Sequence, residues 1–93
     1  MGPVDDGIWC PRRRHGVVLR RDTVRDVMLV LQPERLARLN ATAAAILRLC
    51  DGTRTVSAIE ESLSSEYPDE PPPRISAAVG RFVDAAVRER WIE

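Results

Sequence analysis

The sequence contains no lysine; its fourteen basic residues are all arginine. That excludes a Schiff-base lysine and a phosphate-loop lysine together. No glycine-rich phosphate loop is present either. Histidine occurs once, at His15, with no second His or Cys at ligand spacing, so no metal site is expected. The two cysteines, Cys10 and Cys50, form no CxxC pair. Cys50 falls on an apolar helical face, where a free thiol acts as a small hydrophobe. A bridge between the two is the weaker reading, because Cys10 lies in a tail-like segment. No run spans a bilayer, and the opening MGPVDDGIWCPRRRH lacks the apolar segment of a signal peptide. The expected compartment is the cytoplasm.

Catalysis lacks its parts as well. Thr42, Ser57, Ser62, Ser64, Ser65 and Ser76 have no paired base, and Glu60-Glu61 diverge if helical. We expect neither an enzyme nor a cofactor.

What is present is a small globular module. Ninety-three residues allow one core, and 44% hydrophobic with 30% charged residues fits a folded domain. The formal net charge is zero, which argues against nucleic acid or membrane as the main partner. Charge is nevertheless uneven. Residues 1–54 hold ten Arg against six acids, and residues 55–93 hold four against eight.

Residues 1–15 mix Gly, Pro, acids and Arg12-Arg13-Arg14, and read as a loose arm. The domain is expected over 16–93. Two segments rich in aliphatic and β-branched residues, Val17 to Arg21 and Val27 to Leu31, predict strands joined by a polar turn. Pro33 stops the second, and Glu34-Arg35-Leu36-Ala37-Arg38 reads as a short charged third strand. Charges on a short strand keep an edge soluble, or keep it open for a partner strand.

The pattern then turns helical. Asn40 caps a helix over Ala41 to Cys50 with apolar positions Ala43, Ile46, Leu49 and Cys50, closed by Asp51-Gly52. Thr55 caps a second helix carrying Val56, Ile59 and Leu63, which Pro68 limits. The stiff linker PDEPPPR leads to a third helix, roughly Arg74 to Arg90, with Pro73 suited to its first turn. Its core stripe is Ile75, Val79, Phe82, Val83 and Ala86, and Trp91 and Ile92 seal the end. A second stripe, Arg74, Ala78, Arg81, Ala85 and Arg88, alternates small residues with guanidinium groups. For any single one of these arginines a solvated face is the plain reading. The fold class is α+β: a three-stranded antiparallel sheet followed by three helices, winged helix-turn-helix-like. That shape makes a small winged-helix DNA-binding regulator the competing function, although Asp84 and Glu89 dilute the arginines of the third helix.

The stretch PERLARLNATAAAILRLCDGTRTVSAIEESL resembles the PqqD family of pyrroloquinoline quinone biosynthesis proteins. The resemblance rests on Pro33-Glu34-Arg35, Leu39-Asn40, Thr42-Ala43, Ile46, Leu49, Asp51-Gly52, Thr55 and Ile59, and GVVLRRDTVRDVMLVL resembles the family's opening strands. It covers about residues 16–93. Such a resemblance implies a peptide chaperone, or RiPP recognition element. It would bind the leader of a ribosomally made, PqqA-like precursor by strand addition and present it to a PqqE-like radical S-adenosylmethionine (SAM) enzyme. The implied site is the third-strand edge, Glu34, Arg35, Leu36, Ala37, Arg38 and Leu39, with a wall from Arg74, Ala78, Arg81, Phe82 and Ala85 of the third helix. Arg35, Arg38, Arg74 and Arg81 are candidates for pairing with acidic leader residues. The expected oligomeric state is a monomer or weak dimer.

Overall fold

In the computed structural model, which describes residues 9–93, three strands precede three helices. The strands are β1 (Val18–Asp22), β2 (Val27–Gln32) and β3 (Arg35–Leu39), in one antiparallel sheet of order β1-β2-β3. Asp22 organises the first turn: its Oδ1 accepts from the backbone N–H groups of Val24 and Arg25 at 3.0 and 3.1 Å. The second turn is the two-residue link Pro33-Glu34, closed by the pair Gln32–Arg35. Glu34, expected in the third strand, belongs to this link.

The helices are α1 (Ala41–Leu49), α2 (Val56–Glu66) and α3 (Pro72–Arg88). The caps are those expected: Asn40 Oδ1 accepts from Ala43 N–H at 2.7 Å, and Thr55 Oγ1 from Ala58 N–H at 3.1 Å. Helix α3 starts earlier than Arg74, with Pro71 as its cap and Pro72 and Pro73 in its first turn. Proline costs nothing there, since the missing N–H would have no intrahelical partner. At the other end Arg90 takes φ 63°, Trp91 N–H donates to Ala86 O at 2.8 Å, and Arg90 N–H donates to Val87 O at 3.1 Å. This is a Schellman closure made without the usual glycine.

The core lies between one sheet face and the three helices. Its helical members are the expected Val56, Ile59 and Leu63, and Ile75, Val79, Val83 and Ala86, with Trp91 and Ile92. Phe82 is only half-buried, at the core margin. Helix α1 is rotated from expectation: Ala44, Ala45, Ile46 and Leu47 are buried, whereas Ala43 and Leu49 are at the margin. With alanine on most sides, its sequence carries little phase information.

A further correction concerns the arm. Residues 1–8 lie outside the described residues, but residues 9–14 are fastened to the domain. Arg12 and Glu93 exchange backbone hydrogen bonds at 3.1 and 2.9 Å. Arg13 N–H donates to Cys50 O, Arg14 N–H to Trp91 O, and Gly52 N–H to Pro11 O. Pro11 is buried, and Trp9 packs against the core. The segment supplies backbone partners for the end of α1 and for the C-terminal residues, a need that no side-chain pattern announces. Gly52, at φ 85°, sits under it, and a Cβ there would lie 3.3 Å from Arg12 Cβ. Both cysteines are free.

Candidate functional site

Strand β3 ends the sheet, so among the described residues one of its sides has no strand partner. Counting the antiparallel ladder from the closing pair Gln32–Arg35 fixes which backbone groups face that side. Alternation turns the N–H and C=O of Leu36 and Arg38 outward, and those of Arg35, Ala37 and Leu39 toward β2. Side chains alternate between the sheet faces on the same period. Leu39 is buried, Ala37 packs against the core, and Arg35 reaches α3, where its guanidinium donates to Glu89 Oε1 at 2.9 Å. Leu36 and Arg38 therefore project from the other face.

Two clefts flank α3, one beside the start of β3 and one beside α1 and α2. The smaller, about 290 Å³, is bounded by Gln32, Arg35, Leu36, Ala37, Glu89 and Trp91. The larger, about 650 Å³, lies between the first turn of α1, the end of α2 and the first half of α3. Its floor is apolar, including Ile46, Leu63, Ile75 and Val79, and its rim carries Tyr67, Glu70, Arg74 and Arg81. Phe82 of the larger cleft and Trp91 of the smaller are in ring contact, with centroids 6.1 Å apart. Because Asn40 follows β3 directly and lines the larger cleft, the open edge leads from one cleft to the other.

The structure gathers some of the expected residues and separates others. Arg35, Leu36 and Ala37 line the smaller cleft, and Arg74, Ala78, Arg81 and Phe82 line the larger. Leu39 is only 8% exposed and belongs to the core, not to a binding edge. Glu34 stands in the turn before the edge begins. Arg38 lies on the face opposite Arg35, so the two cannot grip the same side of a bound strand. Ala85 is half-buried and lines neither cleft. Sequence reasoning missed the α1 turn (Ala41, Thr42, Ala43), Tyr67, Gln32 and Glu89. Tyr67, an aromatic 43% exposed just beyond a helix end, is the one with a readable signal.

Charge at the rim is exposed and loosely paired. The Arg74–Glu70 pair is long, at 3.7 Å, and exposed, and Arg81 has no ion-pair partner among the described residues. Exposed pairs of this kind hold little energy and exchange readily for a better partner. Among the described residues no group of His, Cys, Asp or Glu could hold a metal, and no helix is long and apolar enough to cross a membrane. An edge with free backbone groups, beside an apolar trough with arginines at its rim, can take an extended chain carrying apolar and acidic side chains.

Comparison with known proteins points the same way. Residues 27–92 match the family model described as Coenzyme PQQ synthesis protein D (PqqD). A "PqqA binding protein" of Kluyvera intermedia is 36% identical over 83 residues, covering 89% of this chain and 88% of the relative. A protein of the same description from Klebsiella pneumoniae (strain 342) is 37% identical over 79 residues, covering 85% and 84%. Among solved structures, the chain is similar to the PqqD truncation of Methylobacterium extorquens PqqCD. That solution NMR structure is described as a functional, stand-alone RiPP recognition element. The match has a TM-score of 0.76 and 38% identity, and covers 89% of this chain and 87% of the other.

Proposed function

The chain belongs to the PqqD family, and from that membership we propose that it is a peptide chaperone of pyrroloquinoline quinone biosynthesis. In this reading it binds the leader of a PqqA-like precursor and presents it to a radical SAM enzyme, without catalysing a reaction itself. Its place of action is the cytoplasm, where precursor and enzyme are made.

The observation that carries the reading is the open edge of β3 between two clefts. A leader strand would hydrogen-bond to Leu36 and Arg38 through the backbone. Its side chains on the helix-facing side would enter the troughs beside Arg35, Ala37 and Phe82. Carboxylates of the leader would meet Arg74 and Arg81. Main-chain bonds give such a contact affinity, and the alternate pockets give it sequence preference. DNA binding is not favoured, since the formal net charge is zero and Asp84 and Glu89 stand among the arginines at the end of α3.

Titration of a fluorescent precursor leader into the full chain tests this. Saturable binding at micromolar concentrations is expected, with no competition from duplex DNA. Salt-sensitive DNA binding without leader binding would refute it.

A further inference from the structure

Peptide binding on β3 would use one sheet edge and the helix-facing side, and would leave the outer sheet face uncovered. The register places Val18, Leu31 and Leu36 in one row across the three strands, and Arg20, Leu29 and Arg38 in the next. Val27 stands in the row beyond. None of these apolar residues packs against the core, and Leu36 and Val18 are 63% and 47% exposed. An antiparallel sheet with one face in water ordinarily makes that face polar. Here one row is aliphatic across all three strands and β2 is aliphatic along the face. A contiguous apolar patch with a polar border is the mark of an interaction site.

The charges beside the patch are distinctive too. Arg21 and Arg25, from the same hairpin, are paired with Asp26 and Asp22. Arg20 and Arg38, which flank Leu29, have no ion-pair partner among the described residues. The one acid on this face among the described residues, Asp22, is held by its turn and by Arg25, and feels the charge of Arg38 only at a distance longer than an ion pair.

We propose that the outer sheet face is a docking surface for a folded protein that presents carboxylates around an apolar side chain, and that this protein is the enzyme modifying the carried peptide. The proposal rests on the peptide-carrier reading. Two arguments select the occupant. Unpaired guanidinium groups beside leucine and valine complement an acidic, apolar surface, whereas a second copy of this face would bring arginines and no free acid. The second argument is continuity. Leu36 and Arg38 contribute their side chains to the outer face and their backbone groups to the open edge. A peptide strand added at that edge extends the outer face by one strand. A protein seated there touches carrier and cargo together, and leaves the larger cleft, which none of the outer-face residues lines, undisturbed.

The test changes β1, the strand farthest from the peptide edge. Val18→Glu with Arg20→Glu in the full chain is compared with wild type in two assays: anisotropy with the fluorescent leader, and biolayer interferometry with the radical SAM enzyme. Expected are a leader affinity within about twofold of wild type and an enzyme affinity lowered at least about tenfold, the usual weight of one or two buried anchors. If the double variant fails to melt cooperatively, Arg20→Gln replaces it, with a loss of about threefold expected. Unchanged enzyme affinity in a folded variant overturns the proposal. So does a wild-type dimer in sedimentation that the variant abolishes, because the face is then a self-interface. A wild-type chain that binds the enzyme through this face but never binds leader supports the surface and overturns the carrier reading.

Discussion

Replacing Leu36 by proline removes a single backbone donor from the edge proposed to receive the peptide. By the ladder count, Leu36 N–H makes no bond to β2, so the β2–β3 pairing survives its loss. The side chain is 63% exposed, and edge strands tolerate proline, so the cost to folding is small. The cost to binding is not. One net hydrogen bond contributes about 0.5–1.5 kcal/mol, and the peptide carbonyl left facing a proline ring without a partner costs a further 1–3 kcal/mol or so. A total of roughly 2–4 kcal/mol corresponds to about 30- to 1000-fold in Kd. Two controls isolate the cause. Leu36→Ala keeps the N–H and trims a side chain that stands on the outer face and borders the smaller cleft, so leader affinity stays within about threefold. Ala37→Pro deletes an N–H that points into β2 and lowers the melting temperature instead. Leader anisotropy and thermal melts read all three variants. A folded Leu36→Pro protein that binds leader within threefold of wild type would sink strand addition at β3.

Arg90→Gly should raise stability by about 1 kcal/mol in denaturant unfolding, because φ 63° costs an L-residue that much and glycine nothing. Arg81→Glu should weaken leader binding by about two- to tenfold and flatten its salt dependence, since an exposed rim charge is screened. The Cys50 thiol is pushed up to about 12 by burial, with Arg13 opposing. The folded state thus holds this proton more tightly than the unfolded chain, whose thiol titrates near 9.0. Cys50 stabilises the fold fully below pH 9, and its contribution falls as pH rises toward 12, at up to about 1.4 kcal/mol per pH unit. Cys50→Ala should flatten that part of the stability profile. A thiol reagent should modify Cys10 alone in the native protein and both cysteines in denaturant.

Much of this architecture is legible in the sequence because local chemistry announces it. Asn40 and Thr55 are polar oxygens placed before apolar runs, and each caps its helix. The spacing of Ile75, Val79, Val83 and Ala86 admits one face, and that face is the buried one. Legibility fails where the deciding term is not local. The phase of α1 is set by what packs on it, since alanine fits either side. Leu36 and Leu39 are both leucines, three apart on a strand, and only register shows that one faces water and the other the core. The fastening of residues 9–14 uses backbone groups from three distant segments, and proline and arginine there look like a solvated tail. The larger cleft is composite, joining α1, α2 and α3, so only its α3 wall stands out as a stripe.

One question remains for any sheet with two ends: why β3 and not β1 should take the peptide. Both strands expose backbone groups, so hydrogen bonding alone does not choose between them. Affinity from main-chain bonds is indifferent to sequence, and selectivity needs pockets at alternate positions along the added strand. Neither cleft is lined by any β1 residue, while β3 borders the smaller and leads through Asn40 into the larger. A chain added at β1 would meet Arg20 and Arg21 and neither of these clefts. A chain added at β3 meets Ala37, Phe82 and the rim arginines in turn. The proposed preference for β3 therefore rests on where α3 stands. The buried stripe Ile75, Val79, Val83 and Ala86 packs it there, between a start set by prolines and an end set by the Schellman turn.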